Sequence, residues 1–206
     1  MYAVMQMVQQ SANLTQKHLD KALHICWYLI STRNYLLVYN GTTGNGITTC
    51  TDSDWGADPE THHFQMGFYL KLANGIFLWN SHLQKTTALS STEAEYMALS
   101  DCAHQVIWIK QMFGKLKYNL KPIPICGNNQ GSIFMANNPI TECCIKHIPI
   151  CYHFVHNAVT DQHIEIFYIK GTNNPANMFI KNLGYVKFKQ CRSQISLVFN
   201  NTVGRN

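Results

Sequence analysis

Residues 86–113 are the stretch that most limits how this chain can fold. Apolar residues recur there at steps of three and four, which predicts a helix with one side packed on a core. These residues are Ala98, Cys102, Val106, Ile109 and Phe113. Thr92 followed by Glu95 matches a capping box, so we expect the helix to begin at this point. Glu95 then stands at the head of the core-facing side, where a charge is uncommon.

Two interpretations of Glu95 follow from this position. In the first, its carboxylate only caps the free amides of the first helical turn. In the second, the carboxylate binds a metal ion at the edge of a sheet. Glu93 lies on the other side of the helix, so only one of the two acids can serve such a site. The choice depends on whether the rest of the chain supplies partners for Glu95.

The composition is that of a globular protein, with 46% hydrophobic and 12% aromatic residues among 206. The sequence has no apolar run of roughly 18 residues and no signal-peptide pattern, so we expect an intracellular protein that is not secreted and has no membrane partner. Its eight cysteines are then expected to be thiols. The net charge of +5 favours a polyanionic partner.

Three strands are predicted before the long helix, over residues 47–55, 64–72 and 76–79. The last two are joined at Asn74-Gly75, a strong hairpin signal. The first strand ends in Asp52 and Asp54. Acids at a strand end are commonly solvated turn residues, so these two by themselves indicate no site.

Alternating elements follow the long helix. We predict strands over 122–126 and 163–170, and helices over 127–136, 147–160 and 175–183. An amphipathic helix and a short strand are predicted within 15–40, whereas 184–206 has no recognisable pattern. Trp27, Trp55, Trp79 and Trp108 occur at helix and strand spacing, so we expect them in the core rather than as base-stacking residues.

An acid at the end of the first strand and another at the head of the long helix form the layout that a two-metal nuclease requires. Such a site holds two divalent ions roughly 4 Å apart, of which one activates water and the other stabilises the leaving oxygen. Mg²⁺ takes oxygen ligands, so carboxylates from several elements must meet at one point.

Five strings carry a resemblance to a known family: TDSDW, ALSSTEAEYMALS, IPICGNNQGSI, KHIPICYHFV and PANMFIK. In this order and spacing they resemble the ribonuclease H domain of the Pol polyprotein of copia-type LTR retrotransposons. The resemblance covers 47–183 and implies an α/β, ribonuclease H-like fold, with a mixed five-stranded sheet of order 3-2-1-4-5 flanked by helices. Residues 1–46 are similar to the segment that connects the reverse transcriptase to that domain, and 184–206 are expected to be a tail of unknown structure.

The resemblance also implies a site. In the family, four acidic positions are catalytic and bind the metals, and they correspond here to Asp52, Glu95, Asn128 and Asn177. Two of the four are amides in this chain, which halves the formal negative charge and weakens the attraction for two dications. Further departures are the string HHFQMG, which replaces a basic, hydroxyl-rich run, and Pro149, which stands where an acid is usual.

The function implied by the resemblance is hydrolysis of the RNA strand of RNA/DNA hybrids with Mg²⁺ or Mn²⁺. Its expected partners are RNA/DNA hybrid or other nucleic acid and the reverse transcriptase part of the same polyprotein. We expect a degenerate copy that is catalytically impaired and retains nucleic-acid binding. Two alternatives stay open: an active nuclease in which Asn128 and Asn177 are neutral metal ligands, and a domesticated protein-interaction module.

A zinc site is the competing interpretation for the cysteine and histidine residues between 143 and 156. The spacing there lacks paired CxxC motifs, so zinc is not expected. Because His147 and His153 fit the strings of the family, packing or hydrogen-bonding roles are expected for both.

Overall fold

The architecture comes from a computed structural model, which describes residues 1–40, 46–54, 64–138 and 149–200. The helices are α1 (Tyr2–Gln9), α2 (Gln16–Ser31), α3 (Ser91–Lys115), α4 (Gln130–Asn137), α5 (Pro149–Thr160) and α6 (Tyr185–Gln194). The strands are β1 (Tyr35–Leu37), β2 (Thr48–Asp54), β3 (Gln65–Leu72), β4 (Gly75–Leu83), β5 (Ile123–Gly127), β6 (Ile164–Tyr168) and β7 (Leu197–Phe199). Two short 3₁₀ helices, Gly171–Asn173 and Pro175–Phe179, follow β6. None of the helices in the described ranges is long and apolar enough to cross a membrane.

Five strands form one mixed sheet in the order β4-β3-β2-β5-β6. Strand β2 is central, antiparallel to β3 and parallel to β5, and β6 continues the parallel half. Counted from β2, this is the order 3-2-1-4-5, so the predicted ribonuclease H-like topology is confirmed. The parallel pairing of β2 with β5 brings the carboxyl ends of both strands to the same edge of the sheet.

The main core lies between one face of the sheet and helices α3, α4 and α5. The predicted core side of α3 is buried, with Ala98, Cys102, Val106 and Ile109 at most 2% exposed. Of these, Cys102, Val106 and Ile109 pack in one cluster with residues of the sheet and of α5 such as Leu70, Ile125 and Val155. A smaller cluster on the opposite face joins β2 and β3 to the Pro175–Phe179 helix. The sheet is thus covered on both faces at the strand ends that carry the predicted site.

The first turn of α3 differs from the prediction, because the cap is Ser90 and not Thr92. Ser90 Oγ accepts a hydrogen bond from Glu93 N at 3.1 Å, and Glu93 Oε2 accepts one from Leu89 N at 2.7 Å. The sequence offers two overlapping patterns of a hydroxyl residue followed by Glu, and the chain uses the earlier one. Glu93 therefore carries the capping role, which leaves the side chain of Glu95 free for other contacts.

The prediction that the tryptophans are in the core is wrong for three of the four. Trp27, Trp79 and Trp108 are 67%, 47% and 55% exposed. Trp79 is on β4, the edge strand of the sheet, and α2, which carries Trp27, has no buried residue. These apolar side chains match the helix and strand periods, but no described element covers them. Trp55 lies outside the described residues, as do Cys143, Cys144, His147 and the histidines of the HHFQMG string.

The helix predicted over 175–183 is also wrong. The structure has a 3₁₀ helix, Pro175–Phe179, and a separate helix, α6, that begins only at Tyr185. Asn174 starts the 3₁₀ helix, because its Oδ1 accepts a hydrogen bond from Ala176 N at 3.0 Å. Its Nδ2 donates to Thr51 O at 2.9 Å and so ties this segment to β2.

Residues after 183 have regular structure that the sequence pattern did not indicate. Strand β7 pairs antiparallel with β1, from Tyr35 opposite Phe199 to Leu37 opposite Leu197. This two-stranded sheet joins the segment before the ribonuclease H-like region to the segment after it. The division of the chain at 46 and 183 stays a prediction.

Gly67 yields a test of the close contact between β3 and the 3₁₀ segment. A Cβ atom at Gly67 would lie 2.7 Å from Phe179 Cβ and 3.1 Å from Ile180 Cγ2. We expect Gly67→Ala to lower the free energy of unfolding by about 1–3 kcal/mol, because neither neighbour is a flexible side-chain end. Urea denaturation measures this change.

Gly114 is the matched control, since it lies in α3 and a Cβ atom added there would meet nothing within 4 Å. Gly114→Ala is expected to leave stability unchanged or to raise it by up to about 1 kcal/mol. Equal stability of the two variants would show that the segment does not pack on Gly67 as described.

Candidate functional site

The site begins where β2 and β5 end side by side. Cys50 and Cys126 are register partners on these parallel strands, and Asp52 and Asn128 each follow two positions later. Because the two strands run parallel, Asp52 and the residue that follows β5, Asn128, come together at this edge of the sheet. Asn128 Nδ2 donates a hydrogen bond to Asp52 Oδ1 at 3.1 Å. Two of the predicted site residues are therefore in direct contact.

Glu95 reaches the same point from the first turns of α3. Its Oε2 accepts a hydrogen bond from Ser53 N at 3.2 Å, and its carboxyl group lies close enough to Asp52 for the charge of Asp52 to raise its pKa. Asp52 is 1% exposed and Glu95 is 9% exposed. The acid that faces Asp52 is thus Glu95 and not Glu93, which is the helix phase expected from the apolar periodicity.

The contact between the two carboxyl groups changes their protonation. Burial, and then the neighbouring charge of Asp52, raise the pKa of Glu95 to about 9. Burial also raises the pKa of Asp52 to about 6, although the Lys181 ammonium and the Asn128 hydrogen bond oppose this rise. Two neighbouring buried carboxyl groups repel each other when both are charged, which favours a proton on one of them. The pair therefore holds about one proton and carries about one negative charge at neutral pH.

Two buried oxygen atoms at this point lack a donor. Asp52 Oδ2 and Asn128 Oδ1 accept no hydrogen bond from an N–H or hydroxyl group of the described residues. A proton on Glu95 is one way to satisfy the first of them, and a bound cation could satisfy both. Carboxylate and amide oxygens are ligands of the type that Mg²⁺ takes, so Asp52, Glu95 and Asn128 fit a divalent ion. No group of three acidic, histidine or cysteine side chains suited to a metal occurs in the described parts of the chain.

Asn177 makes no hydrogen bond to these three described residues. Its Nδ2 donates hydrogen bonds to Gly171 O at 2.9 Å and to Asn174 O at 2.8 Å. Gly171 in turn packs against Asn128, whose Nδ2 would lie 3.3 Å from a Cβ at that glycine. The structure therefore brings Asp52, Glu95 and Asn128 into one cluster, and Gly171 connects Asn177 to Asn128.

Lys181 is the member of the site that sequence reasoning missed. Its ammonium group lies close enough to lower the pKa values of Asp52 and Glu95 against the dominant effect of burial. The signal was present in the string PANMFIK, where Lys181 stands four positions after Asn177. The site thus includes a positively charged side chain close to its two carboxyl groups.

The two other acids take different positions, as expected. Glu93 caps α3, and Asp54 lies half-buried near Tyr2 and Lys181. Burial raises the pKa of Asp54, and Lys181 opposes this rise.

Solved structures similar to this chain include the crystal structure of LC11-RNase H1 in complex with RNA/DNA hybrid. The TM-score is 0.49 at 17% sequence identity, and the match covers 65% of this chain and 93% of that one. No protein-family model matches the chain.

Sequence relatives cover nearly the whole chain. It is 28% identical over 188 residues, or 91% of its length, to the retrovirus-related Pol polyprotein from transposon TNT 1-94 of Nicotiana tabacum. It is 27% identical over 95% of its length to the corresponding polyprotein from transposon RE1 of Arabidopsis thaliana. The chain spans only 14% and 13% of the lengths of these two relatives. The resemblance indicated by the five strings is confirmed: the chain is related to one segment of the Pol polyproteins of copia-type retrotransposons.

Proposed function

We propose that this chain is a retrotransposon-derived ribonuclease H-like domain that binds nucleic acid and is impaired in metal-dependent cleavage of RNA in RNA/DNA hybrids. The observation that carries the proposal is the contact between Asp52 and Glu95. These two buried carboxyl groups share a proton, and the third position of the cluster is the neutral Asn128. A cluster with about one negative charge attracts a pair of dications far less than four carboxylates do.

Asp52, Glu95 and the carbonyl oxygen of Asn128 are the groups that would hold a divalent ion. When bound, Mg²⁺ or Mn²⁺ supplies a water nucleophile and stabilises the leaving oxygen of the phosphodiester. Glu95 must first release its proton, because a protonated carboxyl is a poor ligand. Asn177 donates through Nδ2 to Gly171 and Asn174, so its Oδ1 is the atom that could contribute to such a site.

The second candidate is an active nuclease with amide ligands. It is favoured by the buried oxygen Asn128 Oδ1, which receives no donor from the described residues and is free to bind a cation. The third candidate is a protein-interaction module. It is favoured by the exposed apolar side chains of α2, which include Leu19, Leu23 and Trp27.

Cleavage of a labelled RNA/DNA hybrid in Mg²⁺ and in Mn²⁺ separates the first two candidates. We expect no cleavage above that of a protein-free control in either metal. Cleavage that is lost on Asp52→Asn would establish the amide-ligand nuclease in place of the impaired domain.

The shared proton predicts that the affinity for Mg²⁺ depends on pH. Glu95 is protonated at neutral pH because its pKa is raised, so metal binding must displace its proton. We expect the apparent affinity to rise between about pH 6 and 9, by at most about tenfold per pH unit. Calorimetric titration in two buffers of different ionisation enthalpy measures both the affinity and the proton released.

Glu95→Gln removes the titrating group and should abolish this pH dependence above neutral pH. Glu93→Gln is the matched control, because the amide oxygen of Gln can still accept the hydrogen bond from Leu89 N. A dependence that is lost in the control and kept in Glu95→Gln would place the metal-linked proton elsewhere.

Restoring the two acids should restore metal binding. We expect the double variant Asn128→Asp with Asn177→Asp to melt at a lower temperature than the parent without metal, since it crowds carboxylates around Asp52. Added Mg²⁺ should raise its melting temperature, because ligand binding stabilises the folded state. Each single change should respond far less, since ligands of one site act as a unit.

Asn129→Asp is the control for charge alone. It adds the same charge one position from Asn128, where Asn129 Oδ1 caps α4 by accepting from Ser132 N. This variant should show no response to Mg²⁺ beyond that of the parent. A double variant that binds Mg²⁺ but cleaves no hybrid would locate a further loss outside the metal ligands.

Binding of hybrid should depend on salt, because phosphate contacts release counterions. We expect Lys181→Gln to reduce the slope of log affinity against log salt concentration by about one. Lys115→Gln is the matched control, since it removes the same charge at the far end of α3, about 30 Å from Glu95. Fluorescence anisotropy over a range of NaCl concentrations measures both slopes. Absence of salt-dependent binding in the parent would favour the interaction module.

A further inference from the structure

Two cysteines lie side by side on neighbouring strands, two positions before Asp52 and Asn128. Cys50 on β2 and Cys126 on β5 are direct register partners on neighbouring parallel strands. Adjacent strands are about 4.8 Å apart, and a disulfide joins Cα atoms that are roughly 4.4–6.8 Å apart. Both residues are free thiols, and the pairing of their strands gives the backbone a spacing that a disulfide could bridge.

The side chains of the pair lie side by side on one face of the sheet. Register partners on parallel strands point the same way, and both cysteines belong to the cluster on the face that carries Phe179. The two thiol groups interact with each other, and Tyr69 OH donates a hydrogen bond to Cys50 Sγ at 3.1 Å. The pairing of the strands thus places the thiols next to each other.

The other cysteines of the sheet region are placed differently. Cys102 contacts Thr49, whose side chain points to the opposite face from Cys50. Cys191 is on α6 and only 1% exposed. Cys126 is half-buried, whereas Cys50 and Cys102 are buried, so an oxidant from solvent reaches the pair through Cys126.

We infer that Cys50 and Cys126 form a peroxide-oxidisable pair that closes to an intramolecular disulfide between β2 and β5. The inference rests on the strand register and on the shared face of the two side chains. It needs neither bound metal nor nucleic acid, and so it stands apart from the proposed function.

The chemistry takes two steps, with hydrogen peroxide as the oxidant. Cys126 Sγ attacks one oxygen of the peroxide, the O–O bond breaks, and a sulfenic acid and one water are formed. Cys50 Sγ then attacks the sulfur of Cys126, the S–S bond forms, and the hydroxyl leaves as a second water with the Cys50 proton. Two thiols and one peroxide thus become one disulfide and two waters, and the two electrons lost by sulfur reduce the peroxide.

The disulfide would act on the proposed site through the strand ends. Asp52 lies two positions beyond Cys50 on β2, and Asn128 lies two positions beyond Cys126, just after the end of β5. Oxidation would therefore fix the distance between β2 and β5 two positions before the Asn128–Asp52 hydrogen bond.

Peptide mapping of the full chain after peroxide treatment tests the inference. Free thiols are blocked under denaturing conditions before digestion, with and without prior dithiothreitol. We expect a linked peptide that joins Cys50 to Cys126, with a loss of about 2 Da from the intact mass, and its disappearance after dithiothreitol. Failure to form this link, or oxidation of Cys126 to sulfinic acid without it, would overturn the inference.

Three variants sharpen the test. Cys126→Ser should abolish the link, and the half-buried position accepts the isosteric hydroxyl, as far-UV circular dichroism would verify. Cys50→Ala should leave Cys126 as a sulfenic acid that dimedone traps, a signal that the parent shows only weakly. Cys26→Ser, on the exposed surface of α2, is the control and should keep the link. Loss of the link in the control, or no dimedone adduct in Cys50→Ala, would contradict the assignment.

Discussion

Burial of Asp52 against Glu95 is the interaction on which the site depends. Its cost is offset by Ser53 N, which donates to Glu95, by the Asn128 amide, which donates to Asp52, and by the charge of Lys181. Both pKa values are raised in the folded protein, so the pair favours folding most at a pH below the ordinary carboxyl range. That contribution is lost as the pH rises towards the folded pKa of Glu95, about 9. The polar cluster is therefore tolerated by the fold because one proton stays with it.

The two amides have different consequences for the fold. Asn128 neutralises one position of the cluster and donates to Asp52, which a carboxylate could not do unless it were protonated. Asn177 donates to two backbone carbonyl groups and so helps to close the turn after β6. Both amides thus donate hydrogen bonds that stabilise this arrangement and that an ionised carboxylate could not donate.

Much of the fold could be predicted from local sequence patterns. The apolar period of α3 placed Glu95 towards the core. Asn74-Gly75 indicated the hairpin between β3 and β4, but its turn residues are Ala73 and Asn74, one position earlier. The strand order came from the resemblance, since periodicity alone does not say which strands pair.

Lys181 was missed because its effect on the carboxyl groups acts through space, and it has no spacing rule of its own. Other features depend on tertiary contacts that no local pattern encodes: the overlapping capping patterns at the start of α3 are equally good in sequence, and only the structure distinguishes Ser90 from Thr92. Strand β7 is short and exists through its pairing with β1, which is more than 150 positions away.

The hydrogen bond from Asn174 to Thr51 bears on how the protein folds. It joins residues 123 positions apart, and Asn174 is completely buried when it forms. Closing so long a loop is entropically costly, so contacts of this separation form late and slow the overall folding rate. We therefore expect the segment that carries Asn177 and Lys181 to dock on β2 after the sheet has assembled. During synthesis, the five strands of the sheet would leave the ribosome before the segment that carries Asn177 and Lys181.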